Sequence, residues 1–138
     1  MGRIVGIDYG TKRVGLAVTD PLKIISSPLE TIHSKDVIEF LKKYDATEEI
    51  ELFAVGMPKN TDNKPTDATP HVKVFVKHLR KAFPNKPIRL VDERFTSKMA
   101  LDTMIAGGST KKDRREKGNI DKISAAIILQ SYMDSHSI

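Results

Sequence analysis

Asp8 ends a short apolar run, Ile4-Val5-Gly6-Ile7, and is followed at once by Tyr9-Gly10-Thr11-Lys12-Arg13-Val14-Gly15. An acid at the end of a buried strand is costly unless it is paired or binds a cation. Strand side chains alternate, so Ile4, Gly6 and Asp8 share one face, and the small Gly6 leaves room there for a ligand or another backbone. Gly10 and Gly15 flank a cationic turn. The pattern predicts a strand, tight turn, strand hairpin that holds a carboxylate where it can grip a divalent metal or lie near a phosphate.

Asp92-Glu93-Arg94-Phe95-Thr96 is the second acidic signal. At the end of a strand Val91 and Glu93 point one way and Leu90 and Asp92 the other, so the two neighbouring acids have different jobs. If Glu93 joins Asp8 across adjacent strand ends and the final helix brings Asp121 alongside, three carboxylates converge. Like charges at that range repel unless divalent cations sit among them. Hydrolysis of a phosphodiester by two metal ions needs such a donor set. Each acid also has a plainer reading: Asp8 in ordinary turn chemistry, Glu93 in a surface pair with Arg94, Asp121 as a helix N-cap. Asp92 is read as structural.

Among the cations, Arg13 lies five residues beyond Asp8, close enough for its guanidinium to take a phosphate bidentately. Arg94 and Thr96 are given the same substrate-binding role. Lys111, Lys112, Arg114, Arg115 and Lys117 face only Asp113 and Glu116 in one segment, a local surplus of +3. Such a run is usually a solvated loop, but beside the acids it becomes a candidate clamp on a nucleic-acid strand.

The elements that must position these residues follow from periodicity. Strands are expected at Ile4 to Asp8, Val14 to Thr19 and, more weakly, Ile24 to Ser26, forming an antiparallel meander. Ser34 can cap a helix marked by Val37, Ile38, Leu41 and Tyr44 that ends before Thr47. A strand from Glu51 to Val55 stops at Gly56-Met57-Pro58, and a turn-rich loop runs to Asp67. Thr69-Pro70 opens a helix with Val72, Phe75, Val76, Leu79 and Phe83 on one face, and a fifth strand covers Ile88 to Asp92. A short helix is expected from Met99 to Ile105, mobile chain from Gly107 to Asn119, and a last helix starting near Asp121. The order implies an α/β fold: a five-stranded mixed sheet, three antiparallel strands then two parallel, with the first strand central and helices on both faces. Asp8 and Glu93 then fall outside the carboxyl ends of strands, where chemistry is expected in open sheets.

The chain's 138 residues suit one domain, 1–138. Hydrophobic content is 39% and charged content 30%, and no apolar run approaches the roughly 20 residues of a membrane span. A soluble cytoplasmic protein with no membrane contact is the expectation. Without cysteine, and with four scattered histidines, any metal should be oxygen-bound. The net charge of +5 and pI of 9.4 are modest pointers to a polyanionic partner.

Asp8-x-Gly10-x-x-Arg13-x-Gly15, Gly56-x-Pro58, Asp92-Glu93-Arg94-Phe95-Thr96 and Asp121-Lys122-Ile123-Ser124-Ala125-Ala126 with Ile128-Leu129-Gln130-Ser131-Tyr132 together resemble the YqgF or RuvX family. The resemblance spans nearly the whole chain. It implies a ribonuclease-H-like fold related to Holliday junction resolvases, and a nuclease that processes precursor small-subunit ribosomal RNA or resolves four-way DNA. It implies Asp8, Glu93 and Asp121 as catalytic acids holding divalent magnesium or manganese, with RNA or branched DNA as partner. Asn63 stands where the family commonly has glycine, and Gly118-Asn119-Ile120 interrupts the basic lead-in to Asp121. A symmetric junction would call for a two-fold homodimer. Two rivals remain: a non-catalytic nucleic-acid-binding module, and an ATP-binding protein of the actin and sugar-kinase kind, for which the chain is short.

Overall fold

A computed structural model describes residues 2–20, 26–57, 69–92 and 117–136. Its strands are β1 (Arg3–Tyr9), β2 (Arg13–Thr19), β3 (Ser26–His33), β4 (Ile50–Met57) and β5 (Ile88–Asp92). The helices are α1 (Val37–Thr47), α2 (Thr69–Ala82) and α3 (Lys117–His136). The strands form one sheet in the order β3-β2-β1-β4-β5, with β1 central. β1, β2 and β3 pair antiparallel, and β4 and β5 continue parallel to β1.

Alternation along β1 sorts the core. Val5 and Ile7 join Val14, Leu16, Phe53 and Val55 on one face, under α1 through Val37 and Leu41 and α2 through Val72, Phe75, Val76 and Leu79. Ile4, Ala17 and Ala54 lie on the other face, under Ala125 and Leu129 of α3. The helices therefore cover both faces, as the pattern predicts. On the α3 side Gly6, Ala17 and Ala54 are small, and at Gly6 the helix comes down close to the sheet.

Three boundaries differ from expectation. The third strand is the eight-residue Ser26–His33 rather than a short piece around Ile24 to Ser26. This stretch is polar and contains Pro28, so its alternation is weak; it is a border strand paired only to β2, with a register shift between Leu16 and Ala17. Ser34 does not cap α1: Asp36 holds the N-cap position without a side-chain bond, and the Ser34 hydroxyl donates to the Thr11 carbonyl at 2.6 Å. Ser34 thus fastens the β1–β2 turn. The last helix begins at Lys117 rather than near Asp121, so Lys117, Gly118 and Asn119 belong to it and not to a mobile segment. The expected Met99 to Ile105 helix and the remainder of the Gly107 to Asn119 segment lie outside the described residues.

Candidate active site

The strongest candidate, Asp8, lies near the end of the central strand and is half-buried. It shares the α3 face with Ile4 and Gly6. A Cβ added to Gly6 would stand 2.7 Å from the Leu129 Cβ and 2.8 Å from the Ala125 carbonyl oxygen. The room that glycine provides is therefore filled by the backbone of α3. Asp121 lies one helical turn before Ala125 and two before Leu129, in line with the residues that rest on Gly6. It is the fifth residue of α3, so N-capping does not account for it.

Strand pairing shows what flanks Asp8. Its antiparallel partner on β2 is Gly15. On the other side, continuing the parallel register by one residue beyond Ile7↔Val55 brings Gly56 of β4 level with it. Directly paired residues share a face, so Asp8 stands between two positions without side chains. Beyond Gly56, Val91 of β5 is its partner, and Val91 packs on the α3 side.

The hairpin is tight for a definable reason. A Cβ on Gly10 would meet the Arg13 carbonyl oxygen at 2.6 Å, so only glycine permits the turn to close this far. Arg13 opens β2 exposed to solvent, and alternation through Gly15 and Ala17 puts it on the face of Asp8. Tyr9, the neighbour of Asp8, turns to the opposite face and stacks on Phe75 of α2, with ring centroids 4.5 Å apart.

Asp8 and Arg13 are thus brought to one side of the sheet, with the backbone of Asp121 on the helix covering that side. Glu93, Arg94, Thr96, Lys111, Lys112, Arg114 and Arg115 lie outside the described residues. Two features escape a reading of the sequence alone. Gly56 reads there as a strand terminator, and only the register between β1 and β4 reveals it as the neighbour of Asp8. The second is the cationic outer face of α2, described below; its signal is a long stretch of chain without acids.

A central strand with an acid near its end, the antiparallel meander of β2 and β3 on one side of it and the parallel β4 and β5 on the other, and a last helix on the acid's face define a ribonuclease-H-like fold. Solved structures with this architecture include "T. thermophilus RuvC in complex with Holliday junction substrate", 18% identical over 99% of this chain and 98% of that one, with a TM-score of 0.57. A second is the "Fowlpox virus resolvase and substrate Holliday junction DNA complex", 17% identical over 99% of each chain, with a TM-score of 0.60. The chain belongs to the family described as "RuvX: Holliday junction resolvase", which it matches over residues 2–135. Curated relatives named "Putative pre-16S rRNA nuclease" include one from Christiangramia forsetii, 50% identical over 96% of this chain and 98% of the relative. Another, from Amoebophilus asiaticus, is 49% identical over 99% and 96%.

Proposed function

We propose that this chain, as one domain over residues 1–138, is a metal-dependent nuclease that hydrolyses phosphodiester bonds of structured nucleic acid. Its favoured substrate is precursor small-subunit ribosomal RNA, which also puts its work in the cytoplasm. The observation that carries this reading is Asp8: half-buried near the end of the central strand, between glycine positions, beneath the helix that bears Asp121. Relatives near half identity across almost the whole chain support the substrate.

Carboxylate oxygens are the donors that magnesium and manganese prefer, and the cysteine-free chain offers no thiolate. Asp8, Glu93 and Asp121 would hold the metal. When bound, such ions activate water and stabilise the leaving oxygen. The remaining work falls to the chain itself. Arg13, Arg94 and Thr96 orient the scissile phosphate, and Lys111, Lys112, Arg114 and Arg115 hold the strand that leads to it.

Asp8→Asn keeps the size and removes the charge. It is expected to abolish cleavage while leaving folding and most nucleic-acid binding intact. Equal cleavage by mutant and parent, both cleared of contaminating nuclease, would end the proposal. A second reading, resolution of four-way DNA, is favoured by the family's own description. It calls for a two-fold dimer that presents two copies of Asp8, and a panel of junction DNA, single-stranded RNA and ribosomal precursor, with magnesium, manganese and chelator arms, separates the two.

A further inference from the structure

From Ala68 to Val91 the chain carries six Lys or Arg and no Asp or Glu, a surplus of +6 that exceeds the net charge of the whole protein, +5. Within α2, Val72, Phe75, Val76 and Leu79 are buried, whereas Lys73, Lys77, Arg80 and Lys81 are exposed. At about 100° per residue these four cations fall within an arc of roughly 100°, along about 12 Å of helix. Lys86, the next cation, is committed elsewhere, to Asp45 at 3.2 Å. Among the described residues none of the four makes an ion pair.

A merely solvated helix face usually mixes signs at i, i+4 spacing. Here Lys73 and Lys77, and Lys77 and Lys81, are like-charged i, i+4 pairs that weaken an isolated helix. Arg80 and Lys81 gain from the C-terminal end of the helix dipole, but Lys73 lies near the other end, and the first turn has no acid. A polyanion laid along the face would offset this repulsion.

We propose that the Lys73, Lys77, Arg80 and Lys81 strip of α2 is a second phosphate-contacting surface that holds a flanking arm of the nucleic acid whose scissile bond lies at Asp8. This rests on the nuclease reading. The Tyr9–Phe75 stack sets the relationship between the two places: Tyr9 adjoins Asp8 on β1, and Phe75 lies between Lys73 and Lys77 on α2. α2 covers the face of the sheet opposite Asp8, so the strip lies on the outer side of α2, about one helix diameter, roughly 10 Å, beyond the ring of Tyr9. An arm that leaves the site and bends round that strand end would reach the strip.

The test compares Lys73→Gln/Lys77→Gln/Lys81→Gln with a charge-matched control, Lys35→Gln/Lys42→Gln/Lys43→Gln, at positions also exposed to solvent. Both are made in the full chain carrying Asp8→Asn, and thermal unfolding checks that each is folded. Binding is followed against salt for a single-stranded RNA of about six nucleotides, and for RNA and junction DNA with double-helical arms of about twelve base pairs. Three lost phosphate contacts should flatten the slope of log affinity against log salt by about 2 to 3 on the armed nucleic acids. The slope on the short strand should stay as it was, and the control should change neither. An unchanged slope on the armed molecules, or an equal change in the control, overturns the strip and leaves the nuclease reading standing. Failure of the unaltered strip to bind any of these nucleic acids would overturn both.

Discussion

Gly6 of β1 and Leu129 of α3 are in direct apposition: a Cβ on the glycine would stand 2.7 Å from that of the leucine. An added methyl must therefore lift or tilt α3. Gly6→Ala is expected to lower stability by about 1–3 kcal/mol, the usual cost of overpacking, as read from denaturant midpoints. Cleavage should fall further than the loss of folded protein explains, because Asp121 moves with the helix. A variant with the parental midpoint would show that α3 shifts freely on the sheet.

Gly15 is the residue of β2 paired directly with Asp8. Valine suits a strand, but Gly15 is buried, so Gly15→Val is expected to lower the unfolding temperature by a few degrees while the protein still folds. The branched side chain would stand beside Asp8, and cleavage should drop at least about tenfold, near 1.4 kcal/mol of lost transition-state binding, beyond what any loss of folded protein explains. Full activity in a folded Gly15→Val protein would mean that nothing needs the space next to the carboxylate.

Ser124 is wholly buried in α3, and its hydroxyl has no hydrogen-bond partner among the described residues. A buried hydroxyl left unsatisfied costs about 1–3 kcal/mol. Ser124→Ala should hold or increase stability in urea. A clear loss would reveal that the hydroxyl is engaged.

Burial pushes the Tyr44 hydroxyl above its ordinary range, opposed by the nearby Arg3 charge and reinforced by Glu48. The folded protein then holds this proton more tightly than the unfolded chain does. Its contribution to stability is complete below the ordinary phenol value of about 10 and is lost as pH rises through the higher folded value. Tyr44→Phe should remove that alkaline component, so its stability falls less between pH 9 and about 11 than the parent's. Parallel curves would refute the assignment.

Ser34 offers a finer probe of the hairpin. Losing its 2.6 Å bond to the Thr11 carbonyl in Ser34→Ala should cost about 0.5–1.5 kcal/mol and speed amide exchange in the Gly10 to Arg13 turn. Unaltered exchange there would show that Gly10 alone holds the turn.

Where apolar residues repeat cleanly, the sequence was a sufficient guide. The buried face of α2 emerged as expected, because burial on one side imposes a strict period, and β5 spans Ile88 to Asp92 as expected, opening directly after Pro87. β3 was poorly legible, since a border strand with one neighbour needs little hydrophobicity and tolerates Pro28. The start of α3 was misplaced because Gly118 and Asn119 are weak helix formers that the longer helix nevertheless includes. Asp8 stood out through its local setting, an acid closing an apolar run. Its glycine neighbours did not, because Gly15 and Gly56 meet it through strand pairing that local pattern cannot supply.

α3 comes last in synthesis among these elements, yet it covers Ile4, Ala17 and Ala54, which belong to strands made much earlier. A ribosome-bound chain can pair its strands and pack α1 and α2 before the covering helix has left the exit tunnel. Until then, among the described residues, no helix covers Ile4, Ala17 and Ala54, and Asp121 is not yet in place. With Asp121 in the site as proposed, translation products interrupted before α3 would be inert toward the RNA around them.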